Sequence, residues 1–397
     1  MPDRLAGRAI MLAGDVAADV ADAEAALARL DAEVSALFDS EALARLLLRA
    51  ESVASSRIEG LRIGARRLLR AEAARELGEE PSDVTAIEVL GNIDAMHYAV
   101  RNVGVGKDIA LQQLLDIHRL LLTEPRVKQY AGHLRDEQNW IGGSAFNPCS
   151  AAFVPPPPEL VCDLLDDLCA FCNEAALPAV AQAALAHAQF ETIHPFADGN
   201  GRTGRALIHL VLRRRGLATR VLPPVSLILA THADRYLAGL MATRYRGPAN
   251  SRAAHEGINL WIAHFAAACT RAAADAGAFE QCARDLEVRW RRLLAPVRAN
   301  SATDLLLRVL PGAPVLTVSA AARLTNRSFT ATNDAVSRLL EAGVLVQIRA
   351  GRRNRAFEAP EVIDSFTALE RQFASPAGDT RVAPPARAVP RAARSAT

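Results

Sequence analysis

The chain has 397 residues, 50% of them hydrophobic and 23% charged, and its formal net charge is +2. A chain of this length and apolar content can bury a large core and exceeds the usual size of one domain, so we expect two domains. This net charge is too small to indicate a class of binding partner. Lysines are few, while Ala, Arg and Leu are abundant, and this composition favours helix.

The sequence lacks two targeting signals. It contains no apolar run of about 18 residues, which excludes a typical membrane-spanning helix. Near the start, Asp3 and Arg4 precede only a short apolar run and Asp15 follows soon after, unlike a secretory signal peptide. We therefore expect a cytoplasmic protein without a membrane partner, in which disulfides do not form.

The first informative stretch is SVASSRIEGLRIG, residues 52–64. A helix is predicted from about Glu41, and Gly60 is a suitable C-cap for it. Ser55 and Glu59 then lie four positions apart on one face of that helix. On these residues alone, the stretch is an ordinary helix end.

A hairpin is predicted in residues 138–161, QNWIGGSAFNPCSAAFVPPPPELV. Two short extended runs flank a turn of Gly, Ser, Asn and Pro residues. The run Pro155–Pro158 stiffens the exit from the hairpin. On these residues alone, the segment is a surface hairpin.

Three cysteines lie in the next predicted helix, within ELVCDLLDDLCAFCNEA. The spacing of Cys162, Cys169 and Cys172 places them on one side of an amphipathic helix. No second Cys/His pair follows at zinc-finger spacing. We therefore predict that these cysteines pack in the core and do not bind a metal.

The most informative stretch is ETIHPFADGNGRTGRALIHLVLRRRG, residues 191–216. Its GNGRTG segment has the glycine spacing of a dinucleotide-binding turn, which must follow a β-strand. The upstream sequence AVAQAALAHAQF is instead Ala-rich, with apolar residues at helical spacing. The predicted order is therefore helix, loop, helix, and a βαβ unit is excluded.

This loop has the properties of an anion-binding site. Gly199 and Gly201 let the backbone turn tightly and approach a ligand closely. The helix that starts near Gly201 points unpaired N–H groups and its positive dipole end at the loop. Arg202 and Arg205 project from one face toward the same anion, so a polyphosphate is the predicted ligand.

Three further side chains precede the glycines. Asp198 offers a hard carboxylate oxygen to a Mg²⁺ ion that bridges the phosphates. His194 can act as a general base near neutral pH. Phe196, between them, is predicted to anchor the loop in the core.

The string HPFADGNGRTGR, residues 194–205, matches H-x-F-x-[DE]-G-N-G-R-x-x-R at every fixed position, and the chain thereby resembles Fic-domain proteins. The resemblance implies a mainly α fold, with a Fic-type helical core and a small β-hairpin flap. It also implies transfer of AMP from ATP·Mg²⁺ to a hydroxyl of a target protein, which can be the protein itself. His194 would deprotonate that hydroxyl, and Asp198 would hold Mg²⁺.

The resemblance also implies a set of nucleotide-binding residues. Asn200 and the adjacent backbone would cradle the α-phosphate, and Arg202 and Arg205 would bind the β- and γ-phosphates. Tyr236 lies at a separation from the motif similar to that of an adenosine-contacting tyrosine in related proteins, although an aromatic core residue is an equally good interpretation. The full set is Gly199, Asn200, Gly201, Arg202, Thr203, Gly204, Arg205 and Tyr236.

Two upstream segments extend the resemblance. Residues Ser55 to Gly60 match the inhibitory motif [ST]-x-x-x-E-[GN] of Fic proteins that carry it on an N-terminal helix. By that resemblance Glu59 pairs with Arg205 and blocks placement of the γ-phosphate, and in some relatives the same glutamate positions a water that removes AMP. The hairpin of residues 138–161 is similar to the flap, which pairs with target backbone.

Beyond about residue 300 the pattern is helix, short helix, turn, helix and two strands, which predicts a winged helix. Residues Val318 to Leu324 form its first helix, Ser328 to Ala342 the recognition helix and Val344 to Phe357 the wing. DNA binding and protein contacts both stay open, because the recognition helix carries only one arginine, Arg338. The wing arginines that could meet phosphates are Arg349, Arg352, Arg353 and Arg355.

The predicted chain has five parts: an N-terminal helical region (1–100), a Fic core (101–270), a helical linker (271–300), a winged helix (301–373) and a disordered basic tail (374–397). Two functions remain. One is a protein adenylyltransferase inhibited by Glu59; the other is a DNA-binding regulator whose Fic half senses nucleotide. His194 favours the enzyme, because a sensor needs no base. The target and the oligomeric state, a homodimer included, stay open.

Overall fold

The computed structural model describes residues 1–373 except 38–39, 80, 125, 145–146, 295 and 351–353. The fold is mainly α, as predicted. The N-terminal helices are α1 (Gly14–Leu37), α2 (Ser40–Ile58), α3 (Ala65–Glu76), α4 (Val84–Asn102), α5 (Leu111–Leu121), α6 (Val161–Asn173), α7 (Ala179–Ile193) and α8 (Asn200–Arg214). They are followed by α9 (Val225–Thr231), α10 (Ala233–Ala242), α11 (Arg252–Leu293), α12 (Ala302–Val309), α13 (Val318–Thr325), α14 (Phe329–Glu341) and α15 (Pro360–Phe373). The strands are β1 (Val315–Leu316), β2 (Val346–Ala350) and β3 (Asn354–Glu358).

Helices α7 and α8 form the centre of the N-terminal part. Every residue of α7 is buried, because its Ala-rich sequence lets neighbouring helices approach on all sides. Helices α6 and α11 pack against α7, while α4 and α5 pack against α8. The loop between α7 and α8, residues 194–199, therefore rests on a rigid helical base.

Helix α2 lies beside α8 and also packs against α4 and α9. It ends at Ile58, and Gly60 adopts a left-handed conformation with φ of 85°, which a glycine accepts without steric cost. The bounds agree with the helix predicted from about Glu41 to Gly60. Among the described residues, no helix has the length and apolar composition needed to cross a membrane.

Helix α11 joins the two parts of the chain. It runs for 42 residues, so the predicted boundary at residue 270 falls inside one continuous helix. Trp261 and Trp290 are fully buried near its two ends. The indole of Trp290 donates a hydrogen bond of 2.6 Å to Glu361 at the start of α15, which ties this helix to the C-terminal part.

The C-terminal part contains α12 to α15 and a three-stranded antiparallel sheet in the order β1-β3-β2. Ser328 caps α14, its hydroxyl accepting a hydrogen bond from the Ala331 N–H. These elements include the helices and the two strands predicted from the sequence, together with a short strand, β1, that was not predicted. At the tip of the predicted wing, Arg352 and Arg353 lie outside the described residues, as does the predicted tail 374–397.

The C-terminal part packs directly on α2 and α3. Glu358 of β3 is buried and forms ion pairs with Arg66 and Arg70 of α3, at 2.6 and 3.1 Å. The guanidinium of Arg49 in α2 donates to the carbonyl of Gly312. A conformational change in the C-terminal part would therefore be transmitted to α2 and α3 through these contacts.

The cysteines of α6 differ in burial. Cys169 and Cys172 are buried as predicted, and burial raises the pKa of the Cys169 thiol to about 11. The prediction is wrong for Cys162, which is exposed. It lies in the first turn of α6, where Val161 and Leu164 face the core instead.

Candidate active site

The loop between α7 and α8 is closed by its own backbone and by one amide side chain. His194 ends α7 in the left-handed conformation, with φ of 49°, and Gly199 precedes α8 with φ of 75°. The amide of Asn200 accepts from the Phe196 N–H and donates to the Phe196 carbonyl, both at 2.8 Å. Asn200 therefore shapes the loop, a role that the sequence did not predict.

His118 of α5 is buried and packs against the loop between α7 and α8. Phe196 is fully buried, as predicted, and stacks on the His118 ring with centroids 3.7 Å apart. The Gly132 N–H donates to His118 Nδ1, so Nε2 carries the proton and donates to the Asp198 carbonyl at 2.9 Å. Burial lowers the pKa of His118 to about 4, which keeps the ring neutral.

The anion site predicted from the sequence corresponds to the first turn of α8. Its leading N–H groups have no partner within the helix, and the helix dipole is positive at this end. Arg202 is buried, and its Nε and Nη1 make no hydrogen bond to any described residue. The nearest carboxylates, those of Glu88 and Asp198, lie 3.8 and 3.9 Å from it. This cation is thus positioned to bind an anion.

Arg205 is engaged by α2. It is almost fully buried, and its Nε donates to Ser55 Oγ at 2.8 Å. Its Nη2 donates to the Ser55 carbonyl at 2.9 Å and to Glu59 Oε1 at 2.7 Å. Burial disfavours the charged form of Glu59, but the charge and hydrogen bond of Arg205 outweigh it, so the pKa of Glu59 is lowered.

The Glu59 carboxylate also occupies the first turn of α8. A Cβ added to Gly201 would collide with Glu59 Oε1, so only glycine leaves room for the carboxylate there. Glu59 thus places a negative charge against the helix N-terminus where phosphates are predicted to bind. Ser55, Glu59, Gly201 and Arg205 form one cluster, in agreement with the arrangement implied by the sequence resemblance.

The imidazole of His194 is neutral near physiological pH. Burial lowers its pKa to about 4, and the charges of Arg244 and Arg135 contribute in the same direction. Its Nδ1 has no hydrogen-bond partner among the described residues and lies 3.9 Å from Glu191 Oε2. Arg135 fixes the backbone, since its Nε donates to the His194 carbonyl at 2.9 Å. A neutral imidazole near physiological pH can accept a proton.

Gly204 of α8 faces the end of α7. A Cβ at Gly204 would lie 2.8 Å from Glu191 Oε1 and 2.9 Å from Phe190, so glycine permits close packing of the two helices. Burial raises the pKa of Glu191 to about 7. Thr203 is fully buried, and its hydroxyl has no partner among the described residues. Gly204 thus has a packing role beside the one predicted.

The predicted hairpin is reduced to one isolated bridge between Ile141 and Phe153; residues 145–146 lie outside the described part of the chain. The segment is held against the loop between α7 and α8, because Asn139 donates to the Phe196 carbonyl at 3.1 Å. The Arg244 guanidinium stacks on the Phe153 ring at 3.8 Å.

Tyr236 lies in the core. Its ring is buried, its hydroxyl is 2.9 Å from His187 Nε2, and its centroid is 6.0 Å from that of Trp261. This placement favours the core interpretation over an adenosine contact. His187 and His209 are also fully buried, as expected for structural histidines.

The Asp198 carboxylate is 53% exposed at the mouth of the loop. One of its oxygens accepts from the Gly199 N–H at 2.6 Å. Within the described ranges, no group of three or more His, Cys, Asp or Glu side chains could hold a metal. A single accessible carboxylate fits Mg²⁺, which keeps most of its waters and is completed by substrate phosphates.

Comparisons with known proteins cover the same region. The profile of the Fic/DOC family N-terminal region matches residues 17–101, and that of the Fic/DOC family matches residues 108–212. The second match includes every loop residue described above, and the first includes Ser55 and Glu59.

Two relatives are named protein adenylyltransferases. Protein adenylyltransferase fic-1 of Caenorhabditis briggsae is 33% identical over 132 residues, which are 32% of this chain and 23% of that protein. Protein adenylyltransferase Fic of Drosophila virilis is 33% identical over 139 residues, 34% of this chain and 27% of that protein. The chain thus spans about a quarter of the length of these relatives.

Solved structures show the same fold. A Fic family protein from Desulfovibrio desulfuricans G20 has a TM-score of 0.52 at 19% identity, covering 88% of this chain and 97% of that one. A Fic domain containing signaling protein from Bacteroides thetaiotaomicron VPI-5482 has a TM-score of 0.51 at 18% identity, covering 65% and 95%.

Proposed function

Since residues 17–101 and 108–212 place this chain in the Fic/DOC family, we propose that it is a protein adenylyltransferase that transfers AMP from ATP to a hydroxyl of a target protein. One observation carries the proposal. A neutral imidazole, His194, lies at the end of α7, across the loop from an anion-binding helix N-terminus with two buried arginines. Base and phosphate site therefore face the same space.

The reaction needs one proton transfer and one displacement at phosphorus. His194 takes the proton of the target hydroxyl, whose oxygen attacks the α-phosphorus, and the bond to the β-phosphate breaks to release pyrophosphate. The N–H groups of α8 and the guanidiniums of Arg202 and Arg205 stabilise charge on the phosphates. Asp198 would hold the Mg²⁺ that accompanies ATP, and that ion neutralises phosphate charge when bound.

We also propose that Glu59 inhibits the enzyme. Its carboxylate binds Arg205 and lies on Gly201, so a triphosphate must displace it to reach both the arginine and the helix N-terminus. The described state would then bind ATP weakly or in an unproductive position.

The decisive experiment uses ATP labelled at different phosphates. With α-labelled ATP and Mg²⁺, we expect the purified protein to become labelled, because the α-phosphate stays with the product. With γ-labelled ATP it should stay unlabelled, since that phosphate leaves in pyrophosphate. ATP binding without label from either source, in Glu59→Gly as well as in wild type, would favour the alternative, a nucleotide sensor.

For the C-terminal part, we propose a winged helix used for protein contacts rather than DNA. The exposed side of α14 carries Asp334 and Glu341, and it presents the ring of Phe329, which is 58% exposed. Carboxylates on this side would repel DNA phosphates, and an exposed aromatic side chain suits a protein surface.

A binding measurement tests this choice. We expect the full-length protein to bind duplex DNA no more tightly than about 10⁻⁶ M at physiological salt, the range of non-specific binding. Replacing Arg352 and Arg353 together by alanine should then leave binding unchanged. Tighter, salt-sensitive binding that this double variant weakens would instead identify a DNA reader.

A further inference from the structure

Helices α2 and α8 meet in a regular antiparallel register. Each step of four residues along α2 toward its C-terminus is matched by a step of four residues back along α8 toward its N-terminus. Residues four apart share one helix face, so all three contacts lie along a single seam. The three pairs are Glu51 with His209, Ser55 with Arg205, and Glu59 with Gly201.

The pair farthest from the active site is the most deeply buried. Glu51, His209 and Ser226 are each fully buried. Glu51 Oε1 accepts from His209 Nε2 at 2.9 Å and from Ser226 Oγ at 2.5 Å, and Oε2 accepts from the Ser226 N–H at 2.7 Å. One carboxylate thereby joins α2, α8 and the start of α9.

This network restricts how Glu59 can leave the phosphate site. A movement of α2 that withdraws Glu59, whether the helix rotates, slides or lifts away from α8, shifts Glu51 as well. A buried carboxylate that loses its hydrogen-bond partners carries a large desolvation penalty. The Glu51 contacts therefore oppose release of Glu59, although they lie two helical turns away from it.

We propose that Glu51 is a positioning residue that, through His209 and Ser226, holds α2 in the register that keeps Glu59 on Arg205. This inference rests on the proposed adenylyltransferase function and its inhibition by Glu59. Part of the inhibition is then due to a buried network that contacts neither the nucleotide nor the target.

The test is self-labelling of the full-length protein with α-labelled ATP. In Glu51→Gln the amide keeps the size of the side chain, but it is uncharged and has one acceptor oxygen where the carboxylate has two. The three donors therefore lose part of their pairing, and the register should loosen. We expect labelling to rise roughly fivefold, in the range of modest coupling between sites, and less than in Glu59→Gly. Ser226→Ala removes the hydrogen bond from the Ser226 hydroxyl to Glu51 and should give a smaller rise in labelling. This second variant tests the same network if Glu51→Gln folds poorly.

Two controls separate positioning from loss of stability. Glu280→Gln changes another buried glutamate, which pairs with Arg284 within α11, and should not raise labelling. In a Glu59→Gly background, Glu51→Gln should add nothing, because its effect acts through Glu59.

Three outcomes would overturn the inference. In the first, Glu51→Gln and Ser226→Ala both label at the wild-type level while Glu59→Gly is more active. This result refutes the positioning role of Glu51 and does not affect the proposed adenylyltransferase function. A further rise from Glu51→Gln in the Glu59→Gly background shows that it acts elsewhere. Glu59→Gly without any gain refutes the inhibition on which the inference depends.

Discussion

Glu59→Gly is expected to raise self-labelling by about tenfold or more, within the range known for couplings between sites. The substitution removes a negative charge from the first turn of α8 and frees the guanidinium of Arg205 for the γ-phosphate. Since Glu59 lies just beyond the end of α2, glycine there does not interrupt the helix. Labelling with α-labelled ATP measures the effect directly.

The same substitution should lower the melting temperature. Arg205 is buried and would keep its hydrogen bonds to Ser55, but a buried charge that loses its ion-pair partner destabilises the fold. The loss should be modest, because the Glu59 side chain is 37% exposed. Higher activity together with lower stability is the expected joint result.

A matched control distinguishes release of inhibition from general loosening. Glu72→Gln breaks the pair between Glu72 and Arg49, whose atoms are 3.0 Å apart and which also involves α2. It should lower stability without raising labelling. Equal gains in both variants would show that Glu59 has no special role.

Glu59 could also support removal of AMP, and a second measurement separates the two roles. With pre-labelled protein and no ATP, wild type would release AMP faster than Glu59→Gly only if the carboxylate takes part in hydrolysis. The inhibition is contradicted if the variant gains no labelling and releases AMP at the wild-type rate.

His194→Ala is expected to lower AMP transfer by roughly 100-fold or more, the usual contribution of a general base. ATP binding should be almost unchanged, because the imidazole contacts none of the groups predicted to hold phosphates. The pKa of His194 is about 4, so the ring is neutral and able to accept a proton throughout the range from pH 6 to pH 8. Transfer is followed with α-labelled ATP, and binding by calorimetry.

The control for this prediction is His232→Ala. His232 lies between α9 and α10, where it lines a cavity together with Arg235 and His264. It should transfer AMP at the wild-type rate. Undiminished transfer in His194→Ala would remove His194 from its assigned role, and loss of ATP binding would show that the residue instead shapes the phosphate site.

The sequence by itself determined the parts of this site that are local. Residues 194–205 are contiguous, so helix, turn and helix bring the histidine, glycines and arginines together whatever surrounds them. The spacing of Ser55 and Glu59 likewise follows from one helical turn. Their meeting with Arg205, 150 and 146 positions away, was predicted only through resemblance to a known motif.

The tertiary structure alone decided which distant polar groups pair. His118 packs on Phe196, and Glu51 bonds to His209 and Ser226. In the sequence His118 and Glu51 are each one of several polar residues in a helix, and only the structure shows that they are buried. Such a residue must find a buried partner, because an unpaired polar group is costly. Which partner it finds depends on how helices far apart in the chain pack, and helical periodicity carries no information about that. The burial of Tyr236 was decided in the same way.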